Sequence, residues 1–255
     1  LGRVGEVLDI LAYTSSQISW QLILSAISRA QTSSGDILKI DLNLEALPSI
    51  VLSCVALEAF VNEVSSLTYA FLFECEQENV HLQNIDMYEK IAEIRNSNDG
   101  NFYQRYKRLL KILEIEHPTF REQIFYLKEV RDMIVHFKTT DIPIVDDGET
   151  IRAAQSLPEE LNALKKFKIN NYPIIASDGK DGSVEWPLKV STSAMAAWSI
   201  TLVLDAIIYS LDAIPNKELK DFIVKKYATY DEAFPNLFQQ GKATVKRWTK
   251  ELYDS

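Results

Sequence analysis

The chain has 255 residues, 47% of them hydrophobic, a net charge of −9 at pH 7, and only eight glycines, eight prolines and two cysteines. That apolar content suits one large domain or two small ones, and the scarcity of turn residues favours helices over a sandwich or barrel, which turns roughly every 8–12 positions. Cys54 and Cys75 form no CxxC pair and no disulfide framework, so two reduced thiols in a cytoplasmic protein are expected, and the acidic field excludes nucleic-acid binding except through a local basic surface.

Helical spacing of apolar residues runs through 4–31 and stops at the breaker cluster "TSSGD". The next long helix is predicted over 48–76, with an apolar stripe through Leu47, Ile50, Cys54, Leu57, Val61, Val64, Thr68 and Phe71 in steps of three and four. Shorter helices follow at 86–95, ending in "NSNDGN", and at 102–115, ending before His117-Pro118. Residues 119–138 form a further helix, with Thr119 as N-cap and Glu122 three residues later. "VDDGET" reads as a loop and 158–168 as a helix, whereas "YPIIASDGKDGSVEWPLKV" places two short apolar runs around an Asp/Gly turn and predicts a β-hairpin near 172–188. Helices at 190–213, 216–229 and 240–253 complete an all-α chain, read as a single domain over 1–255.

Two uncharged runs fall short of a membrane span. Residues 10–28 number 19 but include eight Ser, Thr or Gln, and 190–204 number only 15, against the roughly 20 a bilayer needs. Both are predicted as buried helices, neither resembles a cleavable signal, and no membrane partner is expected. The first residue is Leu1 rather than Met, so residues upstream are expected.

"KEVRDMIVHFKTTDIP", 128–143, sets Arg131 and His136 in an otherwise ordinary amphipathic helix. On a wheel with Arg131 at 0°, Leu127, Val130, Met133, Ile134 and Phe137 fall between about 200° and 320°, and His136 lies about 140° round from Arg131. The two polar residues bracket the outward face, with Lys128, Asp132 and Val135 between them. One helix therefore does not converge both groups on one phosphate. Two copies packed face to face about a two-fold axis bring Arg131 and His136 of each chain to those of its mate.

"RDMIVHF" resembles the signature of HEPN-domain ribonucleases: an Arg, a polar residue, a few mostly apolar positions, then a His. "SCVALEAFVNEV" (53–64) is similar to an early helix of HEPN-like proteins, with Glu58 and Asn62 spaced i,i+4. The resemblance covers residues 15–213, leaving 214–255 as accessory helices, and implies a HEPN-like helical bundle. It further implies a metal-independent ribonuclease, with no cofactor and no metal ligands, that forms a homodimer through the 119–138 helix. In such a site His136 moves protons and Arg131 stabilises the phosphate, leaving a 2′,3′-cyclic phosphate and a 5′-hydroxyl. Asp132 either orients a partner group or is a surface carboxylate. Glu58 and Asn62 either support the site or satisfy each other or a neighbouring helix. The family setting is toxin or phage-defence biology, with a regulatory protein partner. The rival reading is a HEPN-like module without catalysis that dimerises or binds partners.

For RNA, "RYKRLLK" (105–111) offers Arg105, Lys107, Arg108 and Lys111, with Tyr103 and Tyr106 available to stack on bases and Lys138 and "KKFK" (165–168) as further cations. A basic helix, "KATVKRWTK", lies near the C-terminus. The GxxG at 179–182 sits in the expected hairpin rather than between helices, which excludes a KH clamp. P-loop, GxGxxG and GxSxG motifs are missing, and His81, His117 and His136 are too widely spaced for a His/Cys metal set. Asp205, in an apolar helix, is expected to bond a neighbouring helix.

Overall fold

The computed structural model describes residues 18–31, 45–96, 101–136, 144–146, 151–153, 157–176, 186–227 and 237–254. It is mainly helical: α1 (Ile18–Gln31), α2 (Ala46–Gln77), α3 (Ile85–Glu93), α4 (Phe102–Ile112), α5 (Pro118–Val135), α6 (Trp186–Val190), α7 (Ser193–Asp212), α8 (Lys217–Tyr227) and α9 (Leu237–Asp254). A 3-10 turn (Ile94–Asn96) follows α3, and a 3-10 helix occupies Glu159–Lys166. The strands form two antiparallel pairs, β1 (Ile144–Asp146) with β2 (Ile151–Ala153), and β3 (Lys168–Ile169) with β4 (Tyr172–Pro173).

The described residues fall into two compact units, one drawn from Leu1–Ile23, Val55–Arg121 and Val203–Gly241, the other from Leu24–Cys54, Glu122–Leu202 and Lys242–Ser255. In the first unit, the α2 stripe buries Leu57, Val61, Val64 and Phe71, and α4 buries Phe102, Tyr106, Leu109 and Leu110. Each large apolar side chain removed from water contributes roughly 1.5–3 kcal/mol. Several buried polar groups inside this unit pair with one another. Glu63, only 3% exposed, accepts hydrogen bonds from the backbone N–H and hydroxyl of Ser19, and Ser65 Oγ donates to the Ala92 carbonyl while accepting from the Arg95 N–H. At Gly241 a Cβ would stand 3.3 Å from the Trp20 ring, so a small residue lets α9 approach there.

In the second unit, Phe167 stacks on Trp198 with ring centres 5.5 Å apart, Tyr126 packs against Phe167, and Ser49 Oγ bonds the Ala26 carbonyl. Thr192 caps α7, its hydroxyl accepting from the Met195 N–H and donating to the Ile174 carbonyl. Helices α2 and α7 are long and apolar enough to cross a bilayer, yet 61% and 78% of their most apolar windows are buried in protein, where they supply core.

Helix ends follow from local chemistry. Helix α2 closes in a Schellman turn: the Val80 N–H bonds the Cys75 carbonyl at 2.9 Å, the Asn79 N–H bonds that of Glu76 at 3.3 Å, and Asn79 adopts the left-handed φ of 54°. Helix α4 ends likewise through Ile115 and Glu114, the latter at φ 54°.

Three sequence expectations need correction. The hairpin expected near 172–188 lies earlier, at Lys168–Pro173, because Asn170 and Asn171 both take left-handed φ values (47° and 70°), the geometry of a two-residue type I′ turn. The second half of the expected hairpin, 186–190, is helical, and 177–185 lie outside the described residues. "VDDGET" includes strand residues: Asp146 pairs with Ile151 across it. The 158–168 helix is a 3-10 helix rather than an α-helix.

Candidate functional site

Helix α5 carries the Arg–His pair. It starts one residue earlier than expected, with Pro118 at the first helical position, where its missing N–H costs nothing. The cap is therefore His117 and not Thr119: His117 Nδ1 accepts from the Phe120 N–H at 3.2 Å, and its carbonyl accepts from the Arg121 N–H at 3.0 Å. At the other end, the His136 N–H bonds the Asp132 carbonyl at 2.9 Å, so His136 sits on the last turn. Ile124, Leu127 and Val130 are fully buried, Met133 and Ile134 half-buried, and Val135 and His136 exposed. Phe137 and Lys138 lie outside the described residues.

Arg131 and His136 thus leave the same helix about 140° apart and roughly 7.5 Å along its axis. Between them runs a charged network. Arg131 Nη1 donates to Asp132 Oδ1 at 2.7 Å, and Lys128 Nζ donates to Asp132 Oδ2 at 2.9 Å and to Glu129 Oε1 at 2.8 Å. Burial opposes the charge on Asp132, but the hydrogen bonds and charges of Arg131 and Lys128 outweigh it and hold the carboxyl below its ordinary range. Burial likewise opposes the Lys128 charge, and bonds from Glu129 and Asp132 overcome it and raise the amine. Asp132 therefore fixes one edge of the Arg131 guanidinium. Two apolar side chains lie on this outward face: Val135, 50% exposed, and Phe125, 39% exposed, which sits at about 120° on the same wheel.

Glu58 and Asn62 belong to a different cluster. On α2 they face α4, where Arg105 Nη2 donates to Glu58 Oε1 and Nη1 to Asn62 Oδ1, both at 2.9 Å. Of their two sequence readings, the geometry gives the one in which they satisfy a neighbouring helix. Arg105 is correspondingly withdrawn from the RNA-facing set, since both of its terminal nitrogens, Nη1 and Nη2, are bonded to α2. Tyr106 is also corrected: it is 1% exposed, with its hydroxyl bonded to the Ala206 carbonyl, and presents no face to a base. Lys107 and Lys111 are exposed, and Arg108 reaches Glu93 at 3.6 Å. In "KKFK", Phe167 is core and Lys166 pairs with Glu122 at 2.6 Å. Asp205 is half-buried on α7.

Sequence reasoning placed Lys128 on the outward face of α5 without its ion pairs, and missed Phe125 and Glu129 there. The i,i+4 spacing of Lys128 and Asp132 was a usable signal for the pair. Among the described residues, no three of His, Cys, Asp and Glu are grouped to hold a metal ion. Compared with known proteins, the chain matches no family model, no curated protein sequence and no solved structure.

Proposed function

We propose that this chain is a metal-independent endoribonuclease of the HEPN kind, active as a homodimer joined through α5, in a toxin or defence setting. The observation that carries this reading is the disposition of Arg131 and His136 on the outward side of α5: they diverge within one copy, and a two-fold mate makes the Arg of one chain meet the His of the other. Phe125 and Val135 on the same face supply apolar contact for that mate. The exposed cations Lys107 and Lys111, with Arg108, hold the RNA backbone.

In the reaction the RNA 2′-hydroxyl loses its proton to the imidazole of His136 and attacks the adjacent phosphorus. Arg131 of the other copy, oriented by Asp132, donates to the oxygens that gain charge. The 5′-oxygen departs with a proton returned by an imidazolium, leaving a 2′,3′-cyclic phosphate and a 5′-hydroxyl. The nucleophile is internal and both proton transfers fall to histidine, so the route needs no metal.

A non-catalytic module is the second reading. It is favoured by the Arg131–Asp132–Lys128 network, which a solvated helix face also forms. One experiment separates the two. Purified protein incubated with RNA in EDTA is expected to cut it, leaving cyclic-phosphate ends and sparing DNA. Arg131→Ala and His136→Ala should each lower the rate by about 10²–10⁴-fold with circular dichroism unchanged. Intact RNA, or cleavage only after magnesium is added, contradicts the ribonuclease.

A further inference from the structure

Within the first unit, the C-terminal half of α2, its Schellman turn and α3 line an open groove of about 830 Å³, inside the roughly 300–1,000 Å³ range of binding pockets. Its apolar lining includes Leu72, Phe73 and Leu82. Tyr69, Val80 and Ile85 also line it and are 39%, 45% and 46% exposed, so three of the nine large exposed hydrophobics among the described residues gather in one place. Such concentration marks an interaction site rather than scattered surface apolarity. The backbone of Val80 is fixed by its N–H bond to the Cys75 carbonyl in the Schellman turn.

The charge of the groove has one sign. Glu76, Glu89 and Glu93 line it and, among the described residues, no Lys or Arg does. Glu93 is shared with Arg108 at 3.6 Å, and the guanidinium of nearby Arg95 lies 3.8 Å over the Tyr69 ring. Cys75 also lines it, and burial first, then the charges of Glu218, Glu78 and Glu74, push its thiol upward. Nucleic acid is repelled from such a surface. In the basic helix α9, Phe238, Val245 and Trp248 are buried, so those side chains are not available to enter the groove of a second copy.

We infer that this groove docks a segment of another protein carrying a few large apolar side chains flanked by lysine or arginine. The apolar lining supplies affinity and the glutamates supply orientation and on-rate. The inference does not rest on ribonuclease activity, and its test does not read it.

The test is fluorescence anisotropy of the full chain with a labelled amphipathic leucine–lysine peptide, beside a leucine–glutamate peptide of the same pattern. The lysine peptide is expected to bind at least about tenfold more tightly. Glu76→Lys with Glu89→Lys, and separately Val80→Lys with Ile85→Lys, should each weaken it by about tenfold or more. All four positions are exposed, so the fold is kept, as circular dichroism will verify. Glu159→Lys with Glu160→Lys, an equal change of charge on the exposed 3-10 helix, should leave binding unaltered. Equal affinity for the two peptides, unchanged binding in either groove variant, or an equal loss in the Glu159/Glu160 variant overturns the inference.

Discussion

Two arginines in this protein face carboxylates and do different work. Arg105 reaches from α4 to Glu58 and Asn62 on α2, partners more than 40 residues away in sequence, and its side chain is 21% exposed. Arg131 bonds Asp132, its immediate neighbour on α5. The first guanidinium ties two helices together, and removing it strands a half-covered carboxylate. The second is oriented through that bond by its own helix, and it is the one the proposed reaction uses. Long-range pairing marks the structural arginine and local pairing the candidate functional one; coverage does not separate them, since their side chains are 21% and 25% exposed.

The comparison breaks most readily at the proposed interface. Val135→Glu puts like charges face to face across the two-fold, and the dimer dissociation constant is expected to rise by about 100-fold or more, measured by sedimentation velocity over a concentration series. A wild-type chain that is monomeric at micromolar concentration removes the shared site altogether. Next in size is stability. Arg105→Ala should cost roughly 1–3 kcal/mol in urea unfolding, because it releases both Glu58 and Asn62 of α2 from α4, whereas Arg131→Ala, which loses a bond to its own neighbour on α5, should cost about 1 kcal/mol or less. Equal losses would erase the distinction between the two arginines.

The smallest effect is one of pH. The Asp132 carboxyl titrates below its unfolded value, so its ion pairs stabilise the fold fully above the ordinary carboxylate range. That stabilisation falls away as pH drops through the folded value. Between about pH 5 and pH 2 the wild type should lose up to about 1 kcal/mol more than Asp132→Asn, as followed by thermal melts. Parallel stability profiles would show that Arg131 and Lys128 do not hold the charge.

Periodicity made the helices legible. The stripe on α2 is buried from Ile50 to Phe71, and Leu127 and Val130 turn inward on α5 as the wheel requires. The hairpin was misplaced because "DGKDG" is a stronger composition signal than Asn170-Asn171, although two asparagines tolerate the left-handed region well enough to set a type I′ turn. The angular split of Arg131 and His136 could be read from spacing alone. The capture of Arg105 by Glu58 and Asn62 could not, because spacing describes one helix and that contact joins two. A basic run on a helix does not reveal which of its members face the protein.

The central claim is that Arg131 and His136 act across two copies. Arg131→Ala and His136→Ala chains, each inactive alone, should be unfolded together, refolded as a mixture and assayed on RNA in EDTA. The account predicts at least about a tenfold gain over either variant, because heterodimers restore one Arg131 opposite one His136. A mixture no more active than its two components contradicts it.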